Sequence, residues 1–432
     1  MRSRDPGGVE GMSGTGRRAG RKNPILRTRV PLLPPAARSR VALGLTAAAA
    51  LGRLALQVCS ECGTVQYPPR EACHQCLSLD LRWRAQPGEG ELICETVLHH
   101  SHDTYFRERA PWRLGMVRLD CGPTVVAHLH CAVAPAPGRV RIVAQLDKAG
   151  QAALVAIPAR HTGSEGAAQM ADDTRLREMT CDPRRRNILV TDGKTALGQA
   201  LARALCLAGA EIVWVGCAEP WKRAPGLEAL KQLEPVTVVS LDVTSADSVK
   251  SLGGELGAKV DILINNAEVH RTYGIGARYG VEAARAEMDV NYFGLLRLAQ
   301  EFAPAMRARA ADGSWSATAW VNLLSVYALS NFPAHGTYSA SKAAAYSLAQ
   351  CLRAEMQPAG IRVMNVFPGP IDDEWNQELP PPKLAAQALA GAIVSALQAG
   401  VEDLFPGDVA QEWLTRWREN PKILERELAL SR

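Results

Sequence analysis

Between residues 319 and 370 the chain passes from a short apolar run to a helical pattern and back to an apolar run, and this order constrains the fold more than any other feature. Ala319-Trp-Val-Asn-Leu-Leu-Ser325 has strand length and ends in a serine. Ala343–Met356 repeats apolar residues at three and four, the period of a helix. Ile361–Pro370 reads as a second buried strand, stopped by Pro-Gly-Pro. At the helix start, Thr337-Tyr-Ser-Ala-Ser-Lys342 sets Tyr338 and Lys342 four residues apart, so phenol and ammonium share one face. A free tyrosine, with a pKa of about 10, is a poor acid–base group at neutral pH. An adjacent cation favours the phenolate and lowers that value. Ser325 brings a hydroxyl from the neighbouring strand, thirteen residues before Tyr338. Such a trio moves a proton on or off an alcohol while a hydride moves on the carbon.

Further pieces stand in order around this one. They are Ile188-Leu-Val-Thr191, Leu241-Asp-Val-Thr244, Asp261-Ile-Leu-Ile-Asn-Asn-Ala267, Val290-Asn-Tyr-Phe-Gly294 and Pro368-Gly369. From about Asn187 to the C-terminus the chain resembles the short-chain dehydrogenase/reductase family. The resemblance implies an α/β fold, a doubly wound Rossmann-type parallel sheet, and a nicotinamide cofactor, NAD(P). It implies Tyr338 as acid/base, Ser325 orienting the substrate oxygen, Lys342 holding the nicotinamide ribose and lowering the tyrosine pKa, and Asn291 holding a relay water. The implied cofactor positions are Thr191, Gly193, Lys194, Leu197, Gly198, Asp242, Val243, Asn266, Ala267, Tyr338, Lys342, Pro368 and Gly369. Asn265 and Asn266 would brace the central strands, and a homodimer or homotetramer is expected.

The departures lie around the expected cofactor cleft. The family's glycine-rich turn reads here Thr191-Asp-Gly-Lys-Thr-Ala-Leu-Gly198. Glycines let a backbone approach a pyrophosphate at a helix N-terminus. Asp192 and Ala196 replace two of them, leaving Gly193 for the tight turn and Lys194 to neutralise phosphate. Asp192 equally suits a loop that only caps the next helix. Glu268 replaces the glycine after Asn-Asn-Ala, and Asp373 stands where a threonine is usual. The second strand, Glu211–Cys217, ends without the acid that binds a ribose diol. Lys222 and Arg223 follow it and give a lean to NADP, or are solvated surface charges.

The front of the chain carries an independent signal. Cys59-Ser-Glu-Cys62 and Cys73-His-Gln-Cys76 are two Cys-x2-Cys knuckles, the donor set of a tetrahedral site for zinc, or for iron in the same place. Strand-length runs follow at Glu91–Leu98, Arg113–Leu119, Thr124–His130 and Arg139–Ala144, punctuated by Gly and Pro, and suggest a small closed barrel of five or so strands. With Val65-Gln-Tyr-Pro-Pro-Arg70 between the knuckles, residues 38–159 resemble the zinc-ribbon/OB-fold proteins that accompany thiolases and bind acyl-CoA. An acyl-CoA-like small molecule and a thiolase-like protein are therefore the expected partners. OB folds also bind nucleic acid through basic grooves with stacking aromatics. Tyr105, Phe106 and Trp112 beside Arg107, Arg109 and Arg113 keep that alternative open, as they do a coenzyme A site.

The net charge of +5 over 432 residues gives little steer toward nucleic acid, and much of it sits in the first forty residues. The expected division is a disordered basic tail over 1–37, a zinc ribbon with a leading helix over 38–83, and an OB barrel over 84–160. A linker over 161–186 and a Rossmann domain over 187–432 complete it. No apolar run reaches about 18 residues, so no membrane span is expected. The scattered cysteines outside the knuckles fit a cytoplasmic enzyme with reduced thiols. The expected activity is interconversion of a hydroxyl and a ketone on an acyl-CoA-type thioester. The alternatives are a non-catalytic scaffold of a thiolase-like complex with a degenerate cofactor site, and an OB-fold nucleic-acid binder.

Overall fold

The computed structural model describes residues 31–159, 170, 172–222, 225–271, 274–277, 279–311 and 316–430. The basic tail expected over 1–37 lies outside these residues as far as residue 30.

The first unit is a three-stranded antiparallel ribbon, β1 (Ala55–Cys59), β2 (Val65–Gln66) and β3 (Leu81–Ala85), in the order β2-β1-β3. Each knuckle closes the same way. Gly63 N donates to Cys59 O and Leu77 N to Cys73 O, both at 3.0 Å, with φ of +72° and +63° at the residue after the second cysteine. Two buried glutamines join the knuckles: Gln66 Nε2 donates to Gln57 Oε1 at 3.0 Å, and Gln66 Oε1 accepts from His74 N at 3.1 Å. Gln57 Oε1 also accepts from Arg70 N at 2.9 Å, which fixes the Tyr67–Arg70 segment.

The expected leading helix is α1 (Leu43–Ala49). Its Leu45 and Ala49 enter the barrel core, and Gly44 lies flat against the Trp83 indole, where any Cβ would collide. The barrel is closed by β4 (Glu89–Leu98), β5 (Trp112–Leu119), β6 (Thr124–Leu129), β7 (Gly138–Leu146) and β8 (Ala152–Pro158), in the order β4-β5-β6-β8-β7. Leu92, Val117, Val125, Val140, Ile142 and Ala156 fill it.

The stretch expected as a linker is packed from residue 172 onward rather than acting as a spacer. A 3-10 turn, Leu176–Met179, buries both of those side chains against Trp112, Val155 and Ile157.

The remainder is one parallel sheet: β9 (Asn187–Val190), β10 (Ile212–Cys217), β11 (Val236–Ser240), β12 (Ile262–Asn265), β13 (Ala319–Leu323), β14 (Arg362–Val366) and β15 (Asp403–Leu404). Its order is β11-β10-β9-β12-β13-β14-β15. The helices used below are α2 (Ala196–Leu207), α3 (Leu295–Ala308), α4 (Gly336–Met356) and α5 (Ala386–Ala399), with α6 (Gly407–Glu419) and α7 (Pro421–Leu430) at the end. Alternate strand residues face opposite sides. Leu189, Trp320 and Phe367 join Phe302 of α3 on one side, while Ile188, Val190 and Val321 join Leu389 and Ile393 of α5 on the other. Strand order reverses between β9 and β12, and open sheets bind ligands beyond the strand C-termini at such a switch point.

The barrel docks on the far end of the sheet. Arg362 donates to Leu146 O, Asp147 O and Met179 O at 2.9, 3.1 and 3.2 Å, and Gln357 Nε2 donates to Ala149 O at 3.1 Å. Among the described residues, no helix is long and apolar enough to cross a membrane.

Candidate functional site

The ends of β9 and β12 are stapled through side chains. Thr191 Oγ1 accepts from Asn266 N at 3.0 Å and Ala267 N at 3.1 Å. Asn266 Oδ1 accepts from Asp192 N at 3.0 Å, and its Nδ2 donates to Asp192 O at 2.7 Å. Gly193 N donates to Gly216 O at 2.8 Å, and any Cβ on Gly193 would run into Val215. Gly193 thus serves the close approach of the loop to β10. Gly198 does the same for α2, since a Cβ there would strike the Asp192 carbonyl.

Asp192 acts as a loop cap. Its Oδ1 accepts from Lys194 N at 2.8 Å, while Thr195 Oγ1 caps α2 by accepting from Gly198 N at 3.1 Å. Burial pushes the Asp192 carboxyl up, and Glu268 adds to the rise. Lys194 and Lys222, the cations expected to meet phosphate, both pair with Glu219, at 3.3 and 2.6 Å. Arg223 lies outside the described residues.

Asp242, expected near the adenine, folds its own turn: Oδ1 accepts from Thr244 N at 2.9 Å and Thr244 Oγ1 at 2.7 Å. Val243 beside it is buried, with Gly294 packed close against it.

On the other side of the switch point, Tyr338 and Lys342 lie on the first turns of α4, and both are buried. Asn291 sits in a π-helical turn, Asp289–Gly294, that leads into α3. Its amide donates to Val269 O at 2.9 Å and Ser341 Oγ at 2.8 Å and accepts from Val269 N at 3.0 Å. It therefore braces the loop after β12 against α4. Ser325, just beyond β13, is buried, and its Oγ accepts from Tyr327 N at 3.2 Å. The Tyr327 ring meets the Tyr338 ring edge-on at 6.4 Å.

The charge on Lys342 is met by a residue that no motif announced as its partner. Glu268 Oε2 lies 2.8 Å from Lys342 Nζ and accepts from Tyr338 OH at 3.1 Å. Lys342 Nζ also donates to Leu323 O at 2.9 Å. The expectation that Lys342 depresses the tyrosine pKa is corrected here. Burial first, then Glu268, push the Tyr338 phenol well above its ordinary value, and the Lys342 ammonium is paired with that same carboxylate. His270 stacks on the Tyr338 ring, and His270 Nε2 lies 2.5 Å from His335 Nδ1. Sequence reading missed both histidines: His270 stands in the loop after β12, and His335 ends a 3-10 turn, Pro333–His335, that leads into α4.

A cavity of about 280 Å3 opens between these two halves. The start of α2 (Thr195, Ala196, Leu197), Asn266, Glu268 and Leu323 line it, with Ile371, Asp373 and Trp375 across from them. The first turn of α2 at Ala196 and Leu197, with the positive end of its dipole, borders this space, which suits a phosphate-bearing ligand. Asp373 opposite is pushed up to about 6, by burial and then by Glu268. Its Oδ1 accepts from Trp375 N, Asn376 N and Asn376 Nδ2 at 3.0, 3.1 and 2.9 Å, shaping the loop. The Arg271 guanidinium covers the Trp375 ring at 5.0 Å. Pro368 O accepts from Val326 N at 3.0 Å, and Gly369 lets Val409 of α6 approach.

In the ribbon, the Sγ atoms of Cys59, Cys62, Cys73 and Cys76 lie within 4.8 Å of one another. Cys59 and Cys76 are 3.5 Å apart, and Cys62 and Cys73 are 3.6 Å apart. Zinc–sulfur bonds of about 2.3 Å give tetrahedral edges of about 3.8 Å, so the donor set fits zinc. His130, Cys131 and Asp173 also come together, and backbone N–H groups occupy acceptor atoms of His130 and Asp173 there. Asp173 accepts from Cys131 N, Arg175 N and Leu176 N, and His130 Nδ1 from Ala132 N.

The barrel aromatics that kept a stacking platform open as an alternative pack on one another. Tyr105 and Trp112 are buried, Phe106 meets both edge-on, and Trp112 Nε1 donates to His128 Nδ1 at 2.6 Å. Arg109 covers Tyr105 and pairs with Glu178, and Arg113 pairs with Glu95.

Comparison with known proteins agrees with this geometry. The short chain dehydrogenase family matches residues 186–383. The ChsH2 rubredoxin-like zinc ribbon domain matches residues 46–82, and the ChsH2 C-terminal OB-fold domain matches 83–146. An uncharacterized oxidoreductase of Staphylococcus epidermidis is 31% identical over 217 residues, 48% of this chain and 89% of that protein. Human dehydrogenase/reductase SDR family member 7C is 31% identical over 193 residues, 42% of this chain and 59% of that protein. A solved short chain dehydrogenase from Burkholderia cenocepacia, in complex with NADP, superposes with a TM-score of 0.52 at 33% identity, covering 57% of this chain and 98% of that one. The chain belongs to the short-chain dehydrogenase family, an oxidoreductase whose Rossmann domain follows a zinc ribbon and an OB-fold barrel.

Proposed function

We propose that this protein interconverts a hydroxyl and a ketone on an acyl-CoA-type thioester with a nicotinamide cofactor. The observation that carries the reading is one cavity at the switch point, lined by the start of α2 on one side and by Glu268 on the other, with Tyr338 and Lys342 held directly behind the Glu268 carboxylate. When bound, the nicotinamide supplies or accepts the hydride. Thr195, Ala196 and Leu197 would receive its phosphates, and Asn266 and Ala267 would flank its middle. Lys342 Nζ, with two donors engaged by Leu323 and Glu268, keeps a third for the ribose. Tyr338 would hold and move the proton, and Ser325 would orient the substrate oxygen. The NADP complex of the Burkholderia relative supports NADP as the first cofactor to test.

The likeness of the front of the chain to the ChsH2 domains supports a module that engages acyl-CoA or a thiolase-type partner, with zinc held by its four cysteines. The buried aromatics of the barrel speak against nucleic-acid stacking. Steady-state assays with acetoacetyl-CoA and each reduced nicotinamide test the substrate class. Y338F should slow turnover by about 10²–10⁴-fold; unchanged turnover would reject the assignment.

A further inference from the structure

Hydride chemistry on an alcohol releases a proton, and that proton has to leave the buried phenol. In this chain the phenol already points at an acceptor. Tyr338 OH donates to Glu268 Oε2 at 3.1 Å, and the same oxygen lies 2.8 Å from Lys342 Nζ. Glu268 is 10% exposed and lines the cavity, so it reaches both the phenol and the space open to solvent. A lysine whose charge is met by a carboxylate stabilises a phenolate poorly. Burial and the facing carboxylates hold Tyr338 neutral. A neutral phenol between a substrate hydroxyl and a carboxylate works as a bridge.

Resting on the reductase reading, we propose that Glu268 is a catalytic residue, the base that takes the Tyr338 proton while Tyr338 takes the substrate's. In oxidation the substrate O–H bond breaks and its proton bonds to the Tyr338 oxygen. The Tyr338 O–H bond breaks and its proton bonds to Glu268 Oε2. The hydride leaves the substrate carbon for the oxidised nicotinamide, and a ketone forms. Reduction runs the same transfers backwards, with protonated Glu268 returning the proton. The groups facing Glu268 are Tyr338 and Lys342 from α4, Asp373 from the loop after β14 and Asp192 from the loop after β9. His270 covers the far face of the Tyr338 ring, and Lys194 on the cavity wall pairs with Glu219.

The first readout needs neither substrate nor cofactor. Ionisation of Tyr338 is followed on the whole protein by ultraviolet tyrosinate absorbance, as the difference between each protein and its Y338F counterpart. In E268Q, and in E268G as a second variant, Lys342 loses the carboxylate paired with it and faces the phenol with only the more distant Asp373 to oppose it, so Tyr338 should ionise about 1–3 pH units lower than in the parent protein. Ionisation at the same or a higher pH overturns the proposal. The second readout is kcat/KM for oxidation of 3-hydroxybutyryl-CoA against pH. The parent protein's acid limb should fall well below its Tyr338 ionisation. In E268Q limb and ionisation should coincide, with turnover near neutrality down by about tenfold or more. Coincidence in the parent protein overturns the proposal. Full turnover in Y338F, or none in the parent, instead rejects the reductase reading and takes the proposal with it, while the absorbance result still reports on the Glu268 contact.

Discussion

His270 lies face to face on Tyr338, with ring centroids 3.7 Å apart and planes inclined by 18°. His335 completes a buried pair behind the phenol, its Nδ1 2.5 Å from His270 Nε2. Burial pushes His270 down to about 3 and His335 down to about 4. The unfolded chain, with histidine near its ordinary 6.5, binds protons that the folded chain refuses. Stability from this pair is therefore complete above about pH 6.5 and is lost as pH falls toward 4, at about 1.4 kcal/mol per pH unit for each histidine. Urea unfolding at pH 7.5 and pH 5 should show the loss, and H335L should lessen it. An unchanged slope in H335L would remove the pair as its cause.

Zinc should be recovered at one ion per chain. Chelation, or C59S, should release it and lower the melting temperature, because a three-stranded ribbon and a few glutamine hydrogen bonds are what else holds the two knuckles together among the described residues. Metal analysis with thermal unfolding checks this. Full thermal stability after complete zinc loss would make the metal dispensable.

Gly198→Ala should destabilise by about 1–3 kcal/mol, since its methyl meets the Asp192 carbonyl, and backbone has to move to admit it. The same shift spoils the start of α2, so dinucleotide affinity, read by fluorescence titration, should fall as well. Parent-like stability would show that the loop after β9 yields freely.

Arg362→Ala should loosen the barrel from the sheet. It removes donors from the Leu146, Asp147 and Met179 carbonyls and leaves them buried without their charged partner, a loss of about 2–4 kcal/mol. Calorimetry should then resolve two transitions in place of one. A single transition at the parent temperature would show that the interface holds without this residue.

Local chemistry made much of the fold readable. The apolar runs at 188–191, 211–217, 261–265, 319–325 and 361–367 all became neighbouring parallel strands, because a strand buried on both faces needs near-continuous apolar sequence. The four knuckle cysteines converge as their spacing required. The fifth barrel strand, Ala152–Pro158, was less distinct, its small alanines giving little alternation to read. The turn Leu176–Met179 showed no period because its burial depends on Trp112, about sixty residues earlier in the chain.

By itself, the sequence determined which segments are strands, which cysteines gather, and that Tyr338 and Lys342 share a helix face, since these follow from periods and spacings of a few residues. Only the tertiary structure decided what that face meets. Glu268 comes from the loop after β12, seventy residues away, and its carboxylate contacts both the phenol and the ammonium. An electrostatic environment is a sum over groups close in space, and no spacing along the chain encodes it.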